Sequence, residues 1–226
     1  MPALLFDLDG TMLVSDPIHE AVFRELLSER GVAVAEDFYV TKVHGRTNLD
    51  IFADLLPDDP DPKALDELKE AMFRARLPHP YPAMPGLAEL VAQARANGWG
   101  RAVVTNAMRK NAEAMLAAIG LRDAFETIVV ADECAHGKPH PAPYLEAMRQ
   151  LGVAAEDCIA FEDSAAGVRA AAAAGALTLG IRSALDDATL RAAGAVATLA
   201  DFTDPALPDI LGRAFAGGSP HDPHRA

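Results

Sequence analysis

The sequence predicts an α/β fold in which a parallel β-sheet is flanked by helices and a small all-helical domain is inserted after the first strand. Short apolar runs alternate with amphipathic helical patterns from about residue 83 to residue 182, which is typical of a parallel sheet with helices on both faces. The segment 16–80 has helical patterns and no convincing strand pattern. Because it directly follows the first apolar run, we interpret it as an insertion.

Five short apolar runs are the predicted strands of the sheet. They have the length and the apolar character of strands that are buried on both faces. The four helical patterns between them each end at or next to a glycine, which is a common stop signal for a helix. The predicted strands are Ala3–Phe6, Ala102–Thr105, Ile128–Ala131, Ile159–Phe161 and Leu177–Gly180, and the helices are Gly86–Asn97, Asn111–Ile119, Pro141–Leu151 and Ala165–Ala174.

The insertion is predicted to contain three helices, Ile18–Arg30, Asn48–Leu56 and Lys63–Leu77. Proline-rich turns at residues 57–62 and 78–82 separate these helices and lead back to the sheet. We therefore expect an α/β core domain at residues 1–14 and 83–216 and a helical cap domain at residues 15–82. The Gly-, Pro- and His-rich residues 217–226 predict a disordered tail.

Composition limits the classes of partner. The 226 residues include 50% hydrophobic and 23% charged residues, as in ordinary globular proteins, and the formal net charge is −13. This charge argues against nucleic acid and anionic membranes as partners. With two cysteines and no signal-peptide pattern at the first residues, we expect a cytoplasmic protein without a disulfide bond. We expect a monomer or a weak homodimer.

Asp7 and Asp9 follow the first predicted strand, and Gly10 follows them. Alternate residues of an extended segment point the same way, so both carboxylates can face one site. One carboxylate could attack a phosphorus atom while the other transfers a proton to the leaving oxygen. Two adjacent carboxylates also suit Mg²⁺, which prefers oxygen ligands. Alone, however, this Asp-x-Asp pattern is also typical of an acidic turn.

Three later segments also place polar residues at or near predicted strand ends. Thr105-Asn106 offers a hydroxyl and amides for phosphate oxygens, Lys138 offers a cation, and Glu162-Asp163 offers two metal-ligating carboxylates. Alone, each is more typical of a helix cap or a solvated side chain. Together they fall where ligands bind in open α/β sheets, at the carboxyl ends of the strands. The set predicts a phosphoryl-transfer site for a small phosphorylated metabolite.

At these four motifs the chain resembles the haloacid dehalogenase superfamily. The motifs are Asp7-Leu8-Asp9-Gly10-Thr11, Thr105-Asn106, Lys138-Pro139 and Glu162-Asp163-Ser164, and their order and spacing match over about residues 3–182. The resemblance implies a Rossmann-like core with a helical cap. It also implies phosphatase rather than dehalogenase chemistry, because the dehalogenases of this superfamily lack the second aspartate.

The resemblance further implies a role for each matching residue. Asp7 would be the nucleophile, and Asp9 the general acid/base that also gives its backbone carbonyl to Mg²⁺. Thr105 and Lys138 would hold the phosphoryl group, with Asn106 beside them. Asp163 would bind Mg²⁺ directly, and Glu162 directly or through water.

The cap resembles that of β-phosphoglucomutase and related sugar-phosphate phosphatases. His19 matches a histidine near the acid/base aspartate of the mutase, and Lys42 to Thr47 resembles its substrate-specificity loop. Lys42, Gly45 and Arg46 are therefore candidate substrate-binding residues, and an arginine suits a second phosphate or a carboxylate. A solvated basic loop, and for His19 an exposed residue of the first helical turn, are the alternative interpretations. Val14 and Leu49 depart from the mutase pattern. The leading hypothesis is a sugar-phosphate phosphatase, with a phosphosugar mutase as the alternative and a non-catalytic binding protein as a third reading.

Overall fold

The computed structural model describes residues 1–43 and 46–215 and divides the chain into two compact units. One unit, the core, contains Met1–Val14 and the chain from Pro82 onward, and the other, the cap, is Ser15–Tyr81. The predicted tail 217–226 lies outside the described residues. None of the helices in the described part of the chain combines the length and the apolar character that a membrane span requires.

The core is built on a six-stranded parallel sheet with the strand order β3-β2-β1-β4-β5-β6. The sheet is covered by helices, which makes the fold α/β and Rossmann-like, as predicted. The strands are β1 (Ala3–Phe6), β2 (Gly100–Thr105), β3 (Thr127–Val130), β4 (Cys158–Glu162), β5 (Leu177–Ile181) and β6 (Ala197–Leu199). The cap helices are α1 (Asp16–Glu29), α2 (Asn48–Leu55) and α3 (Pro62–Arg76). The core helices are α4 (Leu87–Ala96), α5 (Arg109–Ala118), α6 (Ala142–Leu151), α7 (Ala165–Ala173), α8 (Asp187–Ala193) and α9 (Leu207–Phe215).

Strand β1 lies in the middle of the sheet and fixes where the polar strand ends meet. Phe6 is in register with Val103 of β2 on one side and with Phe161 of β4 on the other. The residues that follow these three strands therefore emerge side by side at one edge. The strand order also reverses here, since β1 leads to β2 and β3 on one side and to β4 on the other. Such a switch point is where open α/β sheets bind ligands.

Apolar packing on both faces of the sheet holds this edge in place. On one face, Phe6 stacks on Phe161 with ring centroids 5.0 Å apart, and Phe202 meets Phe161 edge-on at 5.2 Å. On the other face, Leu5, Val104 and Ala160 belong to a buried cluster that includes residues of α6 and α7. Truncating such a buried aromatic ring costs about 3–5 kcal/mol, so the strand ends are firmly anchored.

The described residues of the cap form helices and connecting turns without a strand. On α1, the side chains of Phe23, Leu26 and Leu27 belong to an apolar cluster that also contains Ile51 and Phe52 of α2. Thr47 and Asp61 cap α2 and α3 by accepting backbone amide hydrogen bonds. A five-residue π-helical turn, Tyr39–Val43, includes Lys42 and was not predicted from the sequence.

Candidate active site

The chain makes a tight turn directly after β1, between Asp7 and Leu13. The Asp7 amide donates to the Phe161 carbonyl at 3.0 Å, and the Gly10 amide donates to the Leu13 carbonyl at 2.8 Å. Gly10 has φ of +76°, and a Cβ there would lie 2.0 Å from Oδ2 of Asp163. A glycine is therefore required both by the backbone conformation and by the approach of Asp163. The turn leaves Asp7 buried and Asp9 half-buried.

Lys138 is held at this edge through its backbone. The Lys138 amide donates to Oδ1 of Asn106 at 3.0 Å, and Nδ2 of Asn106 donates to the Lys138 carbonyl at 3.2 Å. Gly137 lets the two segments approach, because a Cβ at this position would lie 3.2 Å from Oδ1 of Asn106. Asn106, predicted as a phosphate-binding residue, thus clamps the lysine loop in this structure.

The Lys138 ammonium is buried and has three acceptors. Nζ lies 2.5 Å from Oδ1 of Asp7, 2.7 Å from the Val104 carbonyl and 2.5 Å from Oε1 of Glu162. An ammonium has three N–H donors, so each donor has one acceptor. The direction of Nζ toward Asp7 is therefore fixed from three sides.

Glu162 is fully buried and surrounded by hydrogen-bond donors. Its Oε1 accepts from the Tyr144 hydroxyl at 2.7 Å as well as from Lys138, and its Oε2 accepts from the Ser164 hydroxyl at 3.2 Å. The carboxylate also lies on the backbone of α7, since a Cβ on Gly167 would be 1.9–2.0 Å from its atoms. Three donors leave few free lone pairs, which favours contact with a metal through water over direct ligation.

Asp163 lies next to Asp7 and Glu162 and completes an acidic cluster. Oδ1 is 3.4 Å from the Thr11 hydroxyl, and Oδ2 accepts from the Ser183 hydroxyl at 3.1 Å. Asp7, Glu162 and Asp163 each offer one oxygen within 4.8 Å of the others. The structure thus brings together four of the residues that the sequence predicted, namely this cluster and Lys138.

Burial of these charges shifts their pKa values. Burial raises the pKa of Asp7 to about 7, the charges of Glu162 and Asp9 act in the same direction, and Lys138 opposes them. Burial, followed by Asp7 and Glu162, holds the pKa of Asp163 well above its usual value. Burial alone would lower the pKa of Lys138, but Asp7 and Glu162 outweigh it and raise the pKa, so the ammonium stays charged.

The donor set fits a divalent cation. Three buried carboxylates face one ammonium, so the cluster has an excess of negative charge whenever all three are ionised. Mg²⁺ prefers oxygen ligands and commonly uses one or two carboxylates. Asp7 and Asp163 offer such oxygens, so the residues present fit the metal that the family resemblance implies.

Thr105 occupies the end of β2 with its side chain buried. Its Oγ1 accepts from the Ala107 amide at 3.0 Å, which stabilises the turn after the strand. The strand and the turn thus place this hydroxyl at the same sheet edge as Asp7. Its predicted contact with a phosphoryl oxygen stays a prediction.

The cap has a buried polar network around His19 that the sequence did not predict. Nζ of Lys69 lies 2.8 Å from Nδ1 of His19 and 2.7 Å from Oε1 of Glu70, and it sits over the ring of Phe23 at 4.9 Å. The His19 ring stacks on Phe73 with centroids 3.9 Å apart. Lys69 and Phe73 thus contact the His19 ring from two sides.

Arg46 is engaged by residues of the cap itself. Its guanidinium donates to the Lys42 and Asp50 carbonyls at 3.2 and 2.9 Å, and it pairs with Oδ2 of Asp54 at 2.7 Å. It therefore braces the start of α2 in this structure. Lys42 is exposed, whereas Gly45 lies outside the described residues.

Tyr144 and Lys69 are buried polar residues of these networks that the sequence analysis missed. Tyr144 occupies an apolar position of an amphipathic helix, and its partner Glu162 is 18 residues away. Lys69 occurs among charged residues of α3, where a solvated lysine is the default expectation. The sequence signal for Lys69 was its spacing of four from Phe73, which places it on the buried stripe.

Comparison with known proteins identifies related chains. Residues 1–175 match the family model described as haloacid dehalogenase-like hydrolase. The chain is 34% identical over 186 residues to the fructose-1-phosphate phosphatase YqaB of Escherichia coli, an alignment that covers 79% of this chain and 95% of the relative.

Two solved structures extend the comparison. A family IA, variant 3 hydrolase of the same superfamily from Entamoeba histolytica superimposes with a TM-score of 0.85 at 27% identity, over 95% of this chain and 99% of that one. A β-phosphoglucomutase from Clostridium difficile superimposes with a TM-score of 0.80 at 21% identity, over 96% and 98%. At that identity the second likeness shows the shared fold alone.

Proposed function

Because the chain belongs to the haloacid dehalogenase-like hydrolase family, we propose that it is a Mg²⁺-dependent phosphatase of small sugar phosphates that works through an aspartyl-phosphate on Asp7. The observation that carries the proposal is the buried cluster in which Lys138 holds Asp7 beside Glu162 and Asp163. Its charges suit a phosphoryl group and a divalent cation together. The likeness to a fructose-1-phosphate phosphatase supports the sugar-phosphate class.

In the proposed reaction, an oxygen of the Asp7 carboxylate attacks phosphorus, and the bond between phosphorus and the ester oxygen breaks. Asp9 gives its proton to the departing oxygen. Asp9 then takes a proton from a water molecule, whose oxygen attacks phosphorus and releases inorganic phosphate and free Asp7. Lys138 stays charged throughout and offsets the negative charge on the transferred group.

Asp7, Asp163 and the backbone carbonyl of Asp9 would hold Mg²⁺, with Glu162 in contact through water. When bound, the metal would neutralise charge on the phosphoryl oxygens. Thr105 and Asn106 would receive further phosphoryl oxygens at the end of β2. In the cap, His19, Lys42, Gly45 and Arg46 stay predicted substrate-binding residues. The cytoplasmic location and the monomeric or weakly dimeric state also stay predictions.

The direct test is phosphate release from a panel of sugar phosphates that includes fructose 1-phosphate, with and without Mg²⁺. We expect steady release that EDTA abolishes. Asp7→Asn keeps the size of the side chain and removes the nucleophile, so we expect a loss of at least about a hundredfold in kcat. Asp123→Asn, at an exposed position of the core, is the matched control and should match the wild type. Release from no member of the panel would refute the proposal, as would an Asp7→Asn variant with the wild-type rate.

The same assay separates a phosphatase from a phosphosugar mutase. A mutase would convert β-glucose 1-phosphate to glucose 6-phosphate in the presence of a bisphosphate primer and would release little phosphate. We expect phosphate release to exceed this conversion for every sugar phosphate tested.

A further inference from the structure

We infer that Tyr144 is a positioning residue of the phosphoryl-transfer site, whose hydroxyl fixes Glu162 so that Glu162 holds the Lys138 ammonium against Asp7. The effect on kcat expected below rests on the proposed function. The contacts of Tyr144 with Glu162 and Lys138 do not depend on it and involve only residues of the core.

Tyr144 contacts both members of the Lys138–Glu162 ion pair. Its side chain is fully buried, the hydroxyl donates to Oε1 of Glu162 at 2.7 Å, and Nζ of Lys138 lies 5.3 Å from the centroid of its ring. Helix α6, which carries Tyr144, packs on β2 and β3. The ring is thus held by the sheet that also carries the site, so its hydroxyl has a defined position.

The acceptors of Lys138 differ in how firmly they are placed. The Val104 carbonyl belongs to strand β2 and is fixed by the sheet. Glu162, in contrast, reaches Lys138 through a side chain with three torsions, so its carboxylate must be fixed by its own contacts. Those contacts are the Tyr144 hydroxyl at 2.7 Å, the Ser164 hydroxyl at 3.2 Å and the backbone at Gly167.

The Tyr144 hydroxyl is the shorter of the two hydroxyl contacts and shares Oε1 with Lys138. The hydroxyl therefore sets the position of Oε1, the atom to which Lys138 donates. A tyrosine that only filled the apolar cluster between α6 and the sheet would not need its hydroxyl. Replacement by phenylalanine separates the two roles, because it keeps the ring and removes only the donor.

We expect Tyr144→Phe to lower kcat about tenfold on the best substrate of the panel, because a preorganised contact to the charged pair is lost. We also expect inorganic phosphate to bind the Mg²⁺-loaded protein about fivefold more weakly by calorimetry, a readout that needs no turnover. Tyr39→Phe is the matched control. It removes a hydroxyl that donates to Oδ1 of Asp16 at 2.8 Å in the cap, and it should leave phosphate affinity unchanged.

A double-mutant cycle tests whether Tyr144 acts through Glu162. In a Glu162→Leu background, where residue 162 offers no oxygen to the Tyr144 hydroxyl, Tyr144→Phe should change phosphate affinity less than twofold. An unchanged fivefold effect in that background would overturn the inference. So would wild-type kcat and phosphate affinity in Tyr144→Phe alone.

A crystal structure of Tyr144→Phe separates failure of this inference from failure of the proposed function. If the wild type releases no phosphate from the panel, the proposed function fails, while the position of Lys138 in the variant still decides the role of Tyr144. We expect Nζ of Lys138 to move out of hydrogen-bond distance of Asp7, beyond about 3.2 Å. A contact retained at the wild-type distance would overturn the inference.

Discussion

The Glu162 carboxylate lies so close to the backbone of Gly167 that no side chain fits at position 167. A Cβ would lie within 2.0 Å of the carboxylate atoms, far below any van der Waals contact. We therefore expect Gly167→Ala to displace Glu162 from Lys138 and Tyr144 and to lower kcat at least about tenfold. Steady-state kinetics on the best sugar phosphate would measure this loss.

Gly212 of α9 provides the matched control for Gly167. Nothing lies within 4 Å of a Cβ built at this position, and alanine favours a helix interior over glycine by about 0.5–1 kcal/mol. Gly212→Ala should thus keep the wild-type kcat and raise the unfolding midpoint slightly. The steric argument fails if Gly167→Ala keeps wild-type kcat.

The sequence predicted the ionic centre of the site and missed the residues that support it. Asp7, Glu162 and Asp163 were found because each lies at the end of a strand, and strand ends of a parallel sheet converge. Lys138 was found as a lysine in a constrained loop before a helix. Tyr144 was missed because its role depends on how α6 packs on the sheet, which periodicity does not specify. A tyrosine on an apolar helix face is more often a core residue than a functional one.

Helix α3 of the cap carries a buried ion pair, Lys69–Glu70. Burial acts to raise the pKa of Glu70, but the Lys69 ammonium, its hydrogen bond, His19 and Asn48 outweigh burial and lower the pKa. A carboxylate whose pKa is lowered on folding stabilises the fold at pH values above its pKa of 4.5 in the unfolded chain. That stabilisation is lost as the pH falls through the lower pKa of the folded state.

Glu70→Gln should therefore destabilise the protein at pH 7 by about 3 kcal/mol, because it breaks a buried ion pair by removing one partner. The difference from the wild type should shrink below pH 4. Urea unfolding followed by circular dichroism at both pH values would measure it. Glu67→Gln, at an exposed position of the same helix, is the control and should change stability by less than about 0.5 kcal/mol. A Glu70→Gln variant as stable as this control at pH 7 would contradict the argument.

Elements were predictable where an apolar run or an amphipathic pattern stood out from its flanking residues. Strand β1 and the central helices α4, α6 and α7 were predicted to within two residues at each end. Strand β6 was missed because three residues, Ala197–Leu199, are too few for an alternation to show. Helices α8 and α9 were missed along with it, since α8 has only seven residues and α9 precedes a glycine-rich segment.

At the scale of the whole molecule, the metal-free protein should be sensitive to pH in an unusual direction. Asp7, with its pKa raised from 3.8 to about 7, keeps its proton in the folded state over a range where the unfolded chain has released it. Stability therefore falls as the pH rises from about 4 to about 7, and Asp163 acts in the same direction. The stability contribution of Glu70 has the opposite pH dependence, because it is lost as the pH falls, and the loss occurs at lower pH.

Mg²⁺ should reverse the loss at neutral pH, because it replaces the proton as the counterion of the cluster. At a hundredfold excess over its Kd, we expect Mg²⁺ to raise the unfolding midpoint by about 5–10 °C at pH 7.5 and much less at pH 5, where protons compete. Asp163→Asn should lose most of this shift while the exposed control Asp123→Asn keeps it. Thermal scans with and without Mg²⁺ at both pH values test the point without a substrate. An equal shift at pH 5 and pH 7.5, or one that survives in Asp163→Asn, would place the metal elsewhere than on this cluster.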